Sequence, residues 1–223
     1  MNRLNRKIFD ARLKTPFSCI VAGAPLSGKT NFVKRLLEEK ERLIDNKFDY
    51  LIWFYGQETT FIQTLKNNIF GITTTIVQDL PEDFTQYIKP NERGLIVIDD
   101  LMQSAANSKQ VTDLFCNKIQ HNNVSVILLL QNIFYHGSER TTLVRCVHYL
   151  VIFKNPMDQS IPIYLAQKLM PRHKKLFLEM FDHATFKAHG YLFCDGKQDT
   201  PHEARFRTDL FDNNIQRVFV IQQ

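Results

Sequence analysis

Residues 23–30 read Gly-Ala-Pro-Leu-Ser-Gly-Lys-Thr, the spacing G-x-x-x-x-G-K-[ST], and chemistry on a triphosphate is what that spacing serves. Gly23 and Gly28 let backbone N–H groups converge on phosphate oxygens without a Cβ in the way, and Ala24, Pro25, Leu26 and Ser27 make the turn between them. Lys29 would reach the β- and γ-phosphates. Thr30 would offer its hydroxyl to Mg²⁺. The loop needs a strand before it and a helix after it, because the helix N-terminus adds its positive end to the cradle. Apolar residues 17–22 precede it, and Phe32, Val33, Leu36 and Leu37 follow at helical spacing.

Hydrolysis also requires a carboxylate at the end of a neighbouring buried strand. The run 95–98 is wholly apolar and ends in Asp99 and Asp100. Asp99 is expected to hold the metal through its water shell. Asp100 points elsewhere, since strand side chains alternate, and is the candidate for polarising the attacking water. Gln131 and Asn132 end the next apolar run; an amide there can sense the γ-phosphate and hold the lytic water. Arg140 and Arg145 follow a short loop containing Gly137. Either could serve a neighbouring subunit as an arginine finger. Arg140 comes first, because Arg145 sits among Val144, Cys146 and Val147 and reads equally as a structural ion-pairing residue.

These residues need a scaffold in which strands and helices alternate. Strands are expected at 17–22, 50–55, 73–77, 95–98, 124–130, 149–153 and 191–194, with a weaker one at 205–210. Residues 95–98 and 124–130 belong at the sheet centre, being apolar on both faces. Val111, Leu114, Phe115 and Ile119 make a second helical face, and residues 163–170 and 174–181 read as short helices split by Pro171. The fold class is α/β with a mainly parallel sheet flanked by helices. Residues 15–223 are expected to form one domain behind a basic arm, 1–14, that carries Arg3, Arg6, Lys7, Arg12 and Lys14.

The chain has 223 residues, 44% of them hydrophobic, and a net charge of +5 with a pI near 9.0. That excess favours a polyanionic partner. No apolar run is long enough to span a bilayer, and the polar start of the chain does not read as a secretory signal, so a soluble cytosolic product is expected. Cys19, Cys116, Cys146 and Cys194 lie far apart with no C-x-x-C pair; they read as buried reduced thiols, with neither a zinc site nor a disulfide framework.

Further segments occur in a fixed order: Phe-Ser-Cys-Ile-Val-Ala-Gly into the loop, Trp53-Phe54-Tyr55-Gly56, Asp99-Asp100-Leu101-Met102, His121-Asn122-Asn123-Val124-Ser125-Val126, Gln131-Asn132-Ile133-Phe134, Phe153-Lys154-Asn155-Pro156-Met157-Asp158 and Gly190-Tyr191-Leu192. Together they resemble the genome-packaging ATPases of the FtsK/HerA superfamily, in the poxvirus-type branch found in Polintons, virophages and adintovirus-like elements. The resemblance covers residues 15–211. It implies an ASCE, RecA-like P-loop NTPase that binds ATP and Mg²⁺ at residues 23–30 and Asp99. It also implies a pentameric or hexameric ring pushing double-stranded DNA, without sequence preference, through a capsid vertex at the site of virus assembly. Met157 and Arg145 depart from that pattern, which carries arginine and asparagine there. Lys66, Lys109, Lys118 and residues 172–175 are the candidates for gripping phosphates. His121, Asn122 and Asn123 read as a DNA or neighbour contact or as a structural turn. Phe134 and Tyr135 read as subunit boundary or core. A small-molecule kinase and a nucleotide-gated DNA-binding module with little turnover are the competing readings.

Overall fold

Residues 9–65, 70–101, 104–105, 107–134, 139–212 and 217–219 are described by the computed structural model. Nine strands form a single sheet among them: β1 (Ser18–Ala22), β2 (Tyr50–Tyr55), β3 (Thr73–Gln78), β4 (Gly94–Asp99), β5 (Val124–Leu130), β6 (Tyr149–Phe153), β7 (Tyr191–Asp195), β8 (Phe206–Thr208) and β9 (Arg217–Val218). The spatial order is β3-β2-β4-β5-β1-β6-β7-β8-β9. The first six are parallel and the last three join antiparallel. Every strand expected from the apolar runs is present, and β4 and β5 are the middle pair of the parallel six.

Alternation along each strand divides the core into two clusters, one on each face of the sheet. Ile52, Phe54, Ile96, Ile98, Val126 and Leu128 point to one face; Leu51, Trp53, Leu95, Val97, Ile127 and Leu129 point to the other. Strands covered on both sides must be apolar throughout, and β2 and β5 are buried at every position. On the second face lies α1 (Lys29–Glu38), through Phe32, Val33, Leu36 and Leu37, followed by α2 (Lys40–Leu43). A short α3 (Thr60–Leu65) sits beside them and sets Phe61 edge-on to Trp53.

The first face is covered by α4 (Lys109–Asp113), which runs through a π-helical turn at Leu114–Lys118 into α5 (Ile119–Asn122). Ser108 caps α4 by accepting a hydrogen bond from the Val111 amide at 3.2 Å. Asn123, left-handed at φ 54°, ends α5 and turns the chain into β5. The helix α6 (Arg140–Cys146) links β5 to β6, and α7 (Ser160–Leu169) and α8 (Lys174–Ala184) complete this layer on either side of Pro171. α7 begins three residues before the expected 163, because Pro162 falls in its first turn, where no amide donor is needed. No described helix is long and apolar enough to cross a membrane.

One expectation is corrected. Cys116, in the π-helical turn, and Cys146, at the end of α6, form a disulfide with Cα atoms 5.3 Å apart, so the reading of four reduced thiols stands only for Cys19 and Cys194. The partners sit on helices flanking β5 in the chain, a juxtaposition that cysteine spacing does not encode.

Ahead of β1 the chain is fastened from several sides. The Leu13 amide donates to the Leu43 carbonyl, the Tyr149 hydroxyl accepts from the Lys14 amide, and Lys197 Nζ donates to the Lys14 carbonyl. Arg207 donates to the Ala11 carbonyl and, at 2.8 Å, to the buried Asp195 carboxylate.

Candidate nucleotide site

Parallel pairing puts the carboxyl ends of β4, β5 and β1 side by side, with Ile98 level with Leu128 and Ala22 level with Leu130. Gly23, Asp99 and Gln131 therefore leave the sheet on one edge. The Gly23 amide donates to the Leu130 carbonyl at 3.1 Å, which pins the start of the loop to the end of β5. Gly28 has φ 110°, a conformation that side chains resist, and there the loop turns into α1. Leu26 stands at the crest, left-handed and 94% exposed.

Lys29 Nζ lies back along the loop, donating to the carbonyls of Gly23 and Ala24 at 2.8 and 2.9 Å. Burial lowers its pKa, while Asp99 and Asp100 favour its charge. Ser27 Oγ is buried without a hydrogen-bond partner among the described residues. A cavity of about 420 Å³ opens over Leu26, Gly28, Lys29, Thr30, Asn31 and His189.

Thr30 Oγ1 donates to Asp99 Oδ2 at 3.3 Å. Burial above all pushes the Asp99 carboxyl up to about 6; Asp100 adds to the shift, and Thr30 and Lys29 oppose it. The chain then kinks: Asp100 has φ 56°, a left-handed turn that aspartate tolerates better than most residues. Gly56 makes that turn possible, since a Cβ there would come within 2.4 Å of the Asp100 carbonyl oxygen. Thus displaced, the exposed Asp100 side chain accepts from Gln131 Nε2 at 3.2 Å.

Sequence reasoning did not find His189. Its Nδ1 lies 3.0 Å from the Ser27 carbonyl oxygen, which can only accept, so that nitrogen carries the hydrogen. His189 thus satisfies one carbonyl of the loop, as Lys29 satisfies those of Gly23 and Ala24. Its one sequence signal was its place beside Gly190, and it stands 162 residues from Ser27 along the chain.

The remaining candidates scatter. The backbone of Arg140 opens α6, but its side chain lies outside the described residues, as do Arg3, Arg6, Lys7, Lys66, Met102, Tyr135 and Gly137. Arg145 is exposed and makes no ion pair among the described residues; its neighbour Cys146 accepts from Ser18 Oγ at the start of β1, so Arg145 lies toward the edge opposite the loop. His121 and Asn122 end α5, and Asn123 makes the turn into β5 at that same edge. Lys109, Arg172 and Lys174 are exposed, Lys175 pairs with Glu179, and Lys118 pairs with Asp113 at 3.4 Å. Arg12 and Lys14 both pair with Asp10. Asn132 Oδ1 accepts from the Phe134 amide, and Phe134 packs edge-on to Tyr164 with centroids 4.3 Å apart. Met157 is 94% exposed.

The residues present fit a magnesium triphosphate. A buried Ser27 hydroxyl with no partner among the described residues, an ammonium resting on two replaceable carbonyls, and a hydroxyl–carboxylate pair at Thr30 and Asp99 are the donor set such a group requires.

A model of the family described as Poxvirus A32 protein matches residues 4–189. No curated protein sequence matches the chain. Among solved structures it resembles the genome packaging NTPase B204 from Sulfolobus turreted icosahedral virus 2 in complex with ATPγS, at TM-score 0.53 and 12% identity, over 82% of this chain and 94% of that one. The AMP complex of B204 gives TM-score 0.53 and 11% identity, over 85% and 98%. At such identity the likeness establishes the fold, that of a P-loop NTPase.

Proposed function

The chain belongs to the Poxvirus A32 protein family, and from that premise we propose that it is an ATPase that drives double-stranded DNA into a viral or virus-like capsid. The observation that carries the hydrolytic part is the Asp100–Gln131 pair at 3.2 Å, on the same strand edge as the phosphate loop. A carboxylate held by an amide is suited to orienting and polarising water, whereas transfer to an organic acceptor would call for an acceptor pocket in its place. Lys29 exchanges the Gly23 and Ala24 carbonyls for phosphate oxygens when nucleotide enters, and the loop amides take the remainder. Asp100 accepts hydrogen from the attacking water and Gln131 fixes its direction. Thr30 and Asp99 would hold Mg²⁺, which would supply charge neutralisation at the phosphates.

The DNA part rests on the family and on charge. A motor must grip every sequence alike, hence through phosphates, and the net charge of +5 with exposed Lys109, Arg172 and Lys174 suits that task. The working form we propose is a pentameric or hexameric ring of single-domain subunits, spanning 15–223, docked on a capsid vertex during virus assembly. Arg140 reaches the neighbouring subunit's site as its finger, with Arg145 the alternative.

Phosphate release is the test, measured with long duplex DNA across a salt series. Turnover should rise several-fold with DNA of any sequence and lose that stimulation as salt increases. Turnover indifferent to DNA but raised by a nucleoside acceptor would replace the motor with a kinase.

A further inference from the structure

Beside the phosphate cradle lies a larger cavity of about 450 Å³, within the range of small-molecule sites. The two cavities share Gly28, Asn31 and His189, so they adjoin at the first turn of α1. Farther from the loop, the walls of the larger one include Phe32, Arg35, Tyr191, Asp209 and Phe211. The Arg35 guanidinium lies over the Phe211 ring, 4.4 Å from its centroid, and Phe211 meets Phe32 edge-on at 5.2 Å. Asp209, in a left-handed turn at φ 54°, carries a carboxylate 3.4 Å from Arg217 Nε and 3.9 Å from Lys187 Nζ.

An inorganic triphosphate would use only the first cavity. The second offers what a base and a ribose need. A heteroaromatic ring stacks on guanidinium planes and aromatic side chains, and a carboxylate accepts hydrogen bonds from a ribose hydroxyl or an exocyclic amino group. Arg217 and Lys187 neutralise Asp209, so it does not repel the phosphates next door.

We infer that this cavity holds the base and ribose of the nucleotide, with Arg35, Asp209 and Phe211 as specificity-determining residues; the inference rests on the nucleotide-binding reading above. Tyr191, Asp209 and Phe211 follow residue 189, where the family match ends, so this wall lies outside the part of the chain that the family describes.

The discriminating measurement is titration calorimetry with ATPγS and with inorganic tripolyphosphate, both with Mg²⁺, on the wild type, Phe211→Ala and Arg35→Gln. Wild-type protein should prefer ATPγS. Phe211→Ala should weaken ATPγS binding roughly tenfold, the scale of one lost base stack, and leave tripolyphosphate binding unchanged. Arg35→Gln, at an exposed helix position, should do the same to a smaller degree and stands in if Phe211→Ala fails to fold. Wild-type ATPγS affinity in folded variants, or equal losses for both ligands, would overturn the inference while leaving the phosphate loop intact. If neither ligand bound the wild type, the nucleotide reading itself would fall and take the inference with it.

Discussion

At the antiparallel end of the sheet, Asp195 is enclosed with Arg207 at 2.8 Å, and Thr200 Oγ1 and the Lys197 amide complete its hydrogen bonds. At the edge of β4, Asp99 is also drawn into the protein, but the side chain that donates to it among the described residues is the neutral Thr30 hydroxyl at 3.3 Å. Lys29 differs from Arg207 in the same way, resting on two loop carbonyls rather than on a carboxylate. A buried charge with its counterpart built in belongs to the fold. A buried charge held on replaceable partners is kept ready for something that arrives.

Three substitutions would break or sharpen that contrast. Asp100→Asn should have the largest effect, a fall in kcat of about 10²- to 10⁴-fold with ATPγS affinity nearly unchanged, because only proton acceptance is lost. Phosphate-release kinetics beside calorimetry would show it, and equal losses in both would move Asp100 from chemistry to binding. Arg207→Ala should come next, costing about 3–5 kcal/mol in urea unfolding because Asp195 is left buried and unpaired, with little change in turnover per folded molecule.

On stability, Asp99→Asn should have the smallest effect and the opposite sign. The folded-state value near 6 lies above the roughly 3.9 of an unfolded aspartate, so ionisation costs the nucleotide-free fold stability as pH rises through that window, and nothing below it. The variant should be more stable than wild type by about 1–3 kcal/mol at pH 7.5 and equal to it at pH 4, by denaturant unfolding, while losing hydrolysis. A destabilised Asp99→Asn at pH 7.5 would mean that Asp99 is part of the structural set after all.

Much of this was legible in the chain. Burial on both faces demands continuous apolar runs, and residues 50–55, 124–130 and 149–153 became strands with those bounds. Parallel pairing explains why Lys29, Asp99, Asp100 and Gln131 come together: each lies at or beyond the end of a parallel strand, and such strands end on one edge. What stayed hidden depends on partners supplied by tertiary packing. His189 meets Ser27, Cys116 meets Cys146, and Arg207 meets Ala11 and Asp195 only after the layers close. Arg207 in a three-residue strand carries no local mark of being interior, and the Asp209–Phe211 wall looks like an ordinary turn.

The bonds from Tyr149, Lys197 and Arg207 to the segment ahead of β1 have a mechanical meaning. That segment feeds β1, and β1 runs into Gly23, so the wing made by β7 and β8 is tied to the phosphate loop by two routes, through this segment and through the pairing of β7 with β6 beside β1. A load placed on the wing would be shared between them, as a joint is held by a tendon and a ligament together.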